Sequence, residues 1–382
     1  MNLLNMLDKK IVFFGSGSFL DRIMKYPIPF PFSYIVDNNQ DKWGNIKYGK
    51  EIKNPDYLLK ENKDDLLILV VSSFYDEIAS QLEKMGFEVN NNYMSIFEFI
   101  ILLKYKNLYP KKISLPFFNN EIFINPLDKR VKNLFLYKFH DNSRKNIKLW
   151  MTLVSTFDPT IVLDVGANYG EYMFSPIYKK YVSIIGIEAN KNLIPYLNDS
   201  KNMHPNNSQI EVVNALVSDV NNKKEAFYLD IDYSNTSSAI KSNTYGNKIE
   251  KTYVKTLTID SLLKEKSLGT ENKLLFKIDV EGYEPFVLKG MKQTIDSFNN
   301  MLGYIEFNNE FIQNAGLDVN TYLSFLQERF YIYFIKDEEI IKYSSFENMK
   351  EYFCGSKIHT DLLLCKDSRI VEKEIINISQ NI

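Results

Sequence analysis

Two short apolar runs, each ending in a cluster of glycines, constrain this chain more than any other feature. The first is Ile11-Val-Phe-Phe14 followed by Gly15-Ser-Gly17, and the second is Ile161-Val-Leu-Asp-Val165 followed by Gly166-Ala-Asn-Tyr-Gly170. Unbroken apolar runs of this length suit parallel strands buried on both faces. Glycines at the strand exit let the backbone turn sharply and approach a ligand with no Cβ in the way. A chain built on two such units is expected to be α/β. Its 382 residues leave room for two domains, since one core seldom grows past about 250–300 residues.

The first unit continues with a strand at 34–36 ending at Asp37, a third strand at 66–71 and an amphipathic helix over 75–85 stopped by Gly86. This makes a small Rossmann-like α/β domain over 1–100. Residues 101–145 mix aromatics, prolines and charges without a period and read as a connector or pre-domain segment. A helix over 146–157 leads into the second domain, 146–367, and residues 368–382 form a polar tail. Further strands are expected at 182–188, 210–214, 274–279, 301–307 and 361–365. Two additional apolar stretches, 226–229 and 253–256, are placed to form an inserted hairpin, and 330–334 alternates like a buried strand.

The chemistry gathers at the predicted strand ends of the second domain. Asp164-Val-Gly166-Ala-Asn168-Tyr-Gly170 makes the turn, and Glu188 closes the next strand twenty-two residues after Gly166. A carboxylate there can accept both ribose hydroxyl protons of an adenosine. Asn214-Ala-Leu-Val-Ser218-Asp219 follows the third strand; Asp219 can accept an adenine amino proton with Ser218 beside it, or the pair simply opens a turn. The fourth strand ends in Lys277-Ile-Asp279-Val-Glu281-Gly282-Tyr-Glu284. Three carboxylates this close must be protonated, paired or turned to a cation. Asp279 and Glu281 are therefore candidates for a general base or for metal ligands, Glu284 for a helix cap or the same work, and Glu306 for a weaker version of it.

These pieces together, with Ile187-Glu188-Ala-Asn190 and Thr258-Ile-Asp260, resemble the FkbM family of methyltransferases over about residues 146–367. The Lys-Ile-Asp-Val-Glu-Gly-x-Glu run is the most specific part, because methyltransferases at large do not share it. The resemblance implies a Rossmann-like class I methyltransferase domain with a mostly parallel seven-stranded sheet. It implies S-adenosyl-L-methionine as donor and O-methylation of a hydroxyl, often on a bacterial surface-glycan sugar, a sugar nucleotide or a natural product. By the same resemblance Asp164, Gly166, Asn168 and Gly170 hold the methionine end, Glu188 takes the ribose, Asp219 the adenine with Ser218 beside it, and Asn190 belongs to the same cofactor site. Asp279 and Glu281 stand as the catalytic candidates. Mg2+ is compatible with these carboxylates, but no motif calls for it.

The first glycine loop departs from a full dinucleotide fingerprint, since Leu20 stands where a third glycine is expected. Asp37 nevertheless lies twenty-two residues after Gly15, and Val36-Asp-Asn-Asn-Gln-Asp-Lys-Trp43-Gly44 resembles small Rossmann-like modules of bacterial glycan-modifying proteins. A second reading follows, a nucleotide- or sugar-nucleotide-binding protein whose first domain carries the main activity. Net charge −2 and a pI near 6.1 exclude the basic footprint of a nucleic-acid binder. Two cysteines, no secretory pattern and no apolar run of about 18 residues lead us to expect a cytoplasmic protein without a transmembrane segment. Cys354, His359, Asp361 and Cys365 lie close together at a spacing that matches no common zinc pattern. His140 and the polar run Asn235-Thr-Ser-Ser238 are outside candidates for bordering the site.

Overall fold

The computed structural model describes the chain except residues 1–5, 7, 25–29, 106–110, 118–119, 127, 129, 132–140, 245–247, 337–338, 356 and 368–382. His140 and the polar tail lie outside the described residues. Two compact units divide the chain, 1–110 and 111–382. Among the described residues, no helix is long and apolar enough to cross a membrane.

In the first unit the strands are β1 (Lys10–Phe14), β2 (Ile35–Val36), β3 (Ile46–Lys47), β4 (Lys50–Lys53), β5 (Leu66–Val70) and β6 (Tyr93–Ser95). They form one sheet in the order β3-β4-β2-β1-β5-β6, parallel except for the β3–β4 pair. Every residue of β5 and the last four of β1 are buried, which is why both read as unbroken apolar runs. The helix Tyr75–Lys84 buries Ile78 and Leu82, four positions apart on one face.

The second unit opens with an antiparallel pair, β7 (Lys112–Ser114) and β8 (Glu121–Phe123), whose Ile113 and Ile122 belong to that unit's own core. A helix, Asp141–Phe157, buries Ile147, Trp150, Leu153 and Phe157. Then come β9 (Ile161–Val165), β10 (Ser183–Glu188), β11 (Ile210–Asn214), β12 (Leu216–Val217), β13 (Lys224–Asp230), β14 (Ile249–Leu257), β15 (Leu274–Ile278), β16 (Met301–Asn308), β17 (Tyr331–Lys336), β18 (Glu339–Lys342) and β19 (His359–Cys365). The main sheet runs β11-β10-β9-β15-β16-β19-β17-β18; the first five strands are parallel, and β19, β17 and β18 are each antiparallel to the strand before them in this order. This is one strand more than the seven expected. The extra one, β18, is a four-residue edge strand with exposed charged ends, Glu339 and Lys342.

Alternation along β9 sends Ile161, Leu163 and Val165 into one core and Val162 into the core on the opposite face. The two inserted apolar stretches do form a hairpin: β13 pairs antiparallel with β14, and β12 completes this three-stranded sheet. Strand order reverses at β9, which has β10 on one side and β15 on the other. In open α/β sheets the crevice beyond the strand ends at such a reversal is where ligands bind.

Candidate functional site

The exit of β9 and the exit of β15 touch. Gly166 has φ +78, and a Cβ there would land on the carbonyl of Asp279, so no other residue lets the two strand ends close together. Gly170, with φ +82, is held in the same way against the ring of Phe174. Asp164 sits beneath this turn, fully buried; its Oδ2 accepts from the Met173 N–H at 3.1 Å, and its Oδ1 has no hydrogen-bond partner among the described residues. Burial pushes its carboxyl up to about 6, against the pull of the Lys277 ammonium.

Glu188 ends β10 and faces the turn. Its Oε2 accepts from the Asn168 N–H at 2.8 Å and its Oε1 from the Asn190 N–H at 2.7 Å. Burial nonetheless raises it to about 7, because those backbone donors only partly replace water. The Asn190 side chain accepts from the Asn192 N–H at 3.0 Å. Ser218 lies 3.0 Å from the Tyr283 hydroxyl and 3.2 Å from Asp219 Oδ1.

A cleft of about 700 Å³, counted with its open mouth, brings these strand ends together. Gly166, Asn168, Glu188, Asp279 and Glu281 line it, whereas Asp164, Gly170, Asn190, Ser218 and Asp219 stand outside the lining. Asn235, an outside candidate in the sequence, lines it too. The loop after β13 carries it there, and its Nδ2 donates to Glu281 Oε1 at 3.3 Å.

At the β15 end the carboxylates are sorted by their partners. Lys277 is buried, with Nζ 2.9 Å from Asp279 Oδ2 and 4.4 Å from the centre of the Tyr172 ring. Burial works against the charge of Asp279, but Lys277 outweighs it and keeps that carboxyl below its ordinary value. Among the described residues Glu281 forms no such ion pair, and Arg130 acts on it only weakly from a distance. Burial first, then the charges of Glu306, Asp279 and Glu284, drive it well above the usual range. Its backbone is left-handed, φ +54, and its carbonyl accepts from Ser238 Oγ at 3.0 Å and Asn243 Nδ2 at 2.9 Å. Glu284 serves the turn, accepting from the Val280 and Gly282 N–H groups at 3.0 and 3.2 Å, and burial raises it to about 8. Glu306 lies two residues before the end of β16, where burial raises it to about 7 while His359, 2.8 Å from its Oε1, is raised to about 9 by that bond. Carboxylate oxygens of Asp279, Glu281 and Glu306 come within 4.8 Å of one another, a grouping that could hold a divalent cation.

Sequence reasoning did not single out Lys277, Arg130 or Glu171, which line the same cleft. Lys277 had a signal: two positions before Asp279 on a strand, it shares its face. Arg130, whose Nη2 lies 2.7 Å from Glu171 Oε1, comes from the segment ahead of the domain and had none. Asp128, two residues earlier, accepts from the Tyr169 hydroxyl at 2.7 Å and the Ser234 N–H at 3.1 Å, tying the glycine turn to the hairpin loop. The cysteine–histidine group is dispersed: Cys354 is exposed, Cys365 is buried, and Asp361 accepts from the Tyr304 hydroxyl at 2.7 Å.

The first unit's loop differs. Asp37 Oδ2 accepts from the Ser16 N–H at 2.7 Å and from the Ser16 hydroxyl, its Oδ1 from the Asn39 N–H at 2.9 Å, and Lys42 Nζ lies 3.3 Å away. Burial would raise this carboxyl, but these donors hold it below its ordinary value.

A sheet that reverses at β9, with a glycine turn, an acid one strand over and a cleft across the strand ends, defines a Rossmann-like class I methyltransferase domain. Residues 164–333 match the methyltransferase FkbM domain, so the chain carries an FkbM domain, that of an S-adenosylmethionine-dependent methyltransferase. Among solved structures, an O-methyltransferase from Bacillus cereus in complex with SAH is similar at 8% identity and a TM-score of 0.34, covering 62% of this chain and 86% of that one. Precorrin-6y C5,15-methyltransferase from Geobacter metallireducens is similar at 9% identity and a TM-score of 0.32, covering 58% and 87%. No curated protein matches the chain.

Proposed function

We propose that the second unit methylates a hydroxyl of a bacterial surface-glycan sugar or sugar nucleotide, in the cytoplasm, with S-adenosylmethionine as donor. The observation that carries this reading is that Glu188 and the glycine turn share one cleft with Asp279 and Glu281. On this reading the donor and the proton acceptor share that cleft. The residues fit the donor. A Cβ-free turn admits close backbone approach, Glu188 offers a carboxylate to two hydroxyls, and Ala215, Leu216, Val217 and Phe227 give an apolar slot for a flat base. In this reading residues 164–170 hold the methionine end, with Asp164 bracing the turn from below. Asn190 fixes Glu188, and Ser218 and Asp219 bracket the adenine edge.

S-adenosylmethionine supplies a methyl group already activated on a sulfonium. The chain's task is therefore to place the acceptor in line, exclude water and take its proton. Glu281 is the proton acceptor in this reading, because it lines the cleft while Asp279 is held by Lys277, and once ionised its raised pKa makes it the stronger base. Asp279, paired with Lys277, is suited to orienting the hydroxyl. A divalent ion on the three grouped carboxylates would lower the hydroxyl pKa instead.

The test is transfer of labelled methyl from S-adenosylmethionine to surface glycan extracted from cells lacking the protein. Label should enter the glycan with the wild type and not with Glu281→Gln. No label on any sugar hydroxyl would overturn the glycan reading. Loss of transfer in EDTA, restored by Mg2+, would replace the general base with a metal.

A further inference from the structure

The inserted hairpin has one face that the site does not use. Alternation along β13 and β14 sets Lys224, Ala226 and Tyr228 on the same side, directly opposite Lys255, Tyr253 and Lys251. The other side is committed to the fold: Phe227 and Leu229 are buried, and Phe227 lines the cleft. On the outer side all three lysines are exposed, and Tyr253 is 64% accessible. Lys251 Nζ lies between the two tyrosines, 5.9 Å from the Tyr228 ring centre and 5.3 Å from that of Tyr253.

The charges on this face are unbalanced. Lys224 and Lys255 are direct cross-strand partners, a like-charge pairing that weakens a sheet. Their neighbours Lys223 and Lys248 are neutralised by Glu225 and Asp232. Among the described residues, Lys224, Lys251 and Lys255 form no ion pair.

We propose that this face docks an anionic glycan chain, whose sugar rings lie on Tyr228 and Tyr253 and whose acidic groups pair with Lys224, Lys251 and Lys255. The proposal deepens the reading above and rests on the acceptor being a glycan. Charge and shape select this occupant. Three lysines on a chain of net charge −2 give nucleic acid no extended positive field. A membrane surface needs bulky aliphatic side chains to insert, and the face has Ala226 and two hydroxyl-tipped rings. Tyrosine offers a flat apolar ring with a polar edge, and lysine stems add apolar cover beneath a charged tip. Because the same hairpin lines the cleft through Phe227, a chain held outside keeps its next sugars at high local concentration beside the cleft.

The test is calorimetric titration of the full chain with three probes of matched length: oligogalacturonate, maltodextrin and polyglutamate. Oligogalacturonate should bind, maltodextrin and polyglutamate far more weakly. Tyr253→Ala and Lys251→Gln should each weaken oligogalacturonate by about tenfold, the scale of one aromatic or charge contact. S-adenosylhomocysteine affinity and the melting temperature should not move. The proposal is overturned if wild type ignores oligogalacturonate, if polyglutamate binds equally well, or if both variants bind like wild type. Should Lys251→Gln fold poorly, Tyr253→Ala alone decides. Failure of S-adenosylhomocysteine to bind wild type would strike the donor reading and leave this result standing.

Discussion

The chain holds two glycine turns with the same outline and opposite electrostatics. Each follows a buried strand, and each has a carboxylate twenty-two residues after its first glycine. In the first unit Asp37 is used up by Ser16, Asn39 and Lys42, which close the loop upon itself and hold the acid ionised. In the second, Glu188 takes two backbone N–H groups, forms no ion pair among the described residues and looks into a cleft. One acid is finished by the protein. The other is left for something to complete. Spacing alone therefore does not distinguish a nucleoside site from a stitched turn; the donors around the carboxylate do.

If the second turn serves a reaction and the first does not, their substitutions separate. The largest effect expected is from Glu281→Gln, which should lower methyl transfer by about 10²–10⁴-fold in single-turnover assays. Asp37→Asn should leave the same rate within about twofold. Gly166→Ala should come next, destabilising the second unit by about 2–4 kcal/mol in denaturant unfolding. It adds left-handed strain to a collision with the Asp279 carbonyl. Gly17→Ala should change stability by less than about 1 kcal/mol, since none of the described residues lies within 4 Å of the added Cβ.

Melting against pH sharpens the contrast further. Glu188 is raised from 4.5 to about 7, so its stability contribution is complete below about pH 4.5 and is lost as pH rises through 7. Asp37 is lowered from 3.8, so its contribution is present above that value and is lost as pH falls through its depressed pKa. Glu188→Gln should flatten the decline of the second unit between pH 4.5 and 7. The slope removed should be at most about 1.4 kcal/mol per pH unit, the limit for one proton. Asp37→Asn at neutral pH should cost the first unit only about 1 kcal/mol, because Lys42 is partly exposed and screened.

Much of the fold was legible because buried parallel strands are written as apolar runs. Residues 161–165, 210–214 and 274–278 needed no more than that, and the inserted hairpin showed as two spare apolar stretches. Residues 112–123 did not read as a strand pair, since Lys112, Glu121 and the prolines around them mask three-residue strands. The edge strand β18 was hidden for the same reason, with charge at both ends. At the site, Glu188, Asp279 and Glu281 stood out as acids at strand ends. Arg130 could not, because only tertiary folding brings its segment to the cleft. Nor could the sequence tell Asp37 from Glu188, since each acid's donors lie in loops whose shape no spacing encodes.

The most direct test of the difference between the two turns is calorimetric titration of the full chain with S-adenosylhomocysteine, comparing wild type, Glu188→Ala and Asp37→Ala. That difference predicts one site on the wild type, a loss of about 10–100-fold in affinity for Glu188→Ala, the scale of charged hydrogen bonds, and no change for Asp37→Ala. Undiminished binding by Glu188→Ala, or binding abolished by Asp37→Ala, would contradict it.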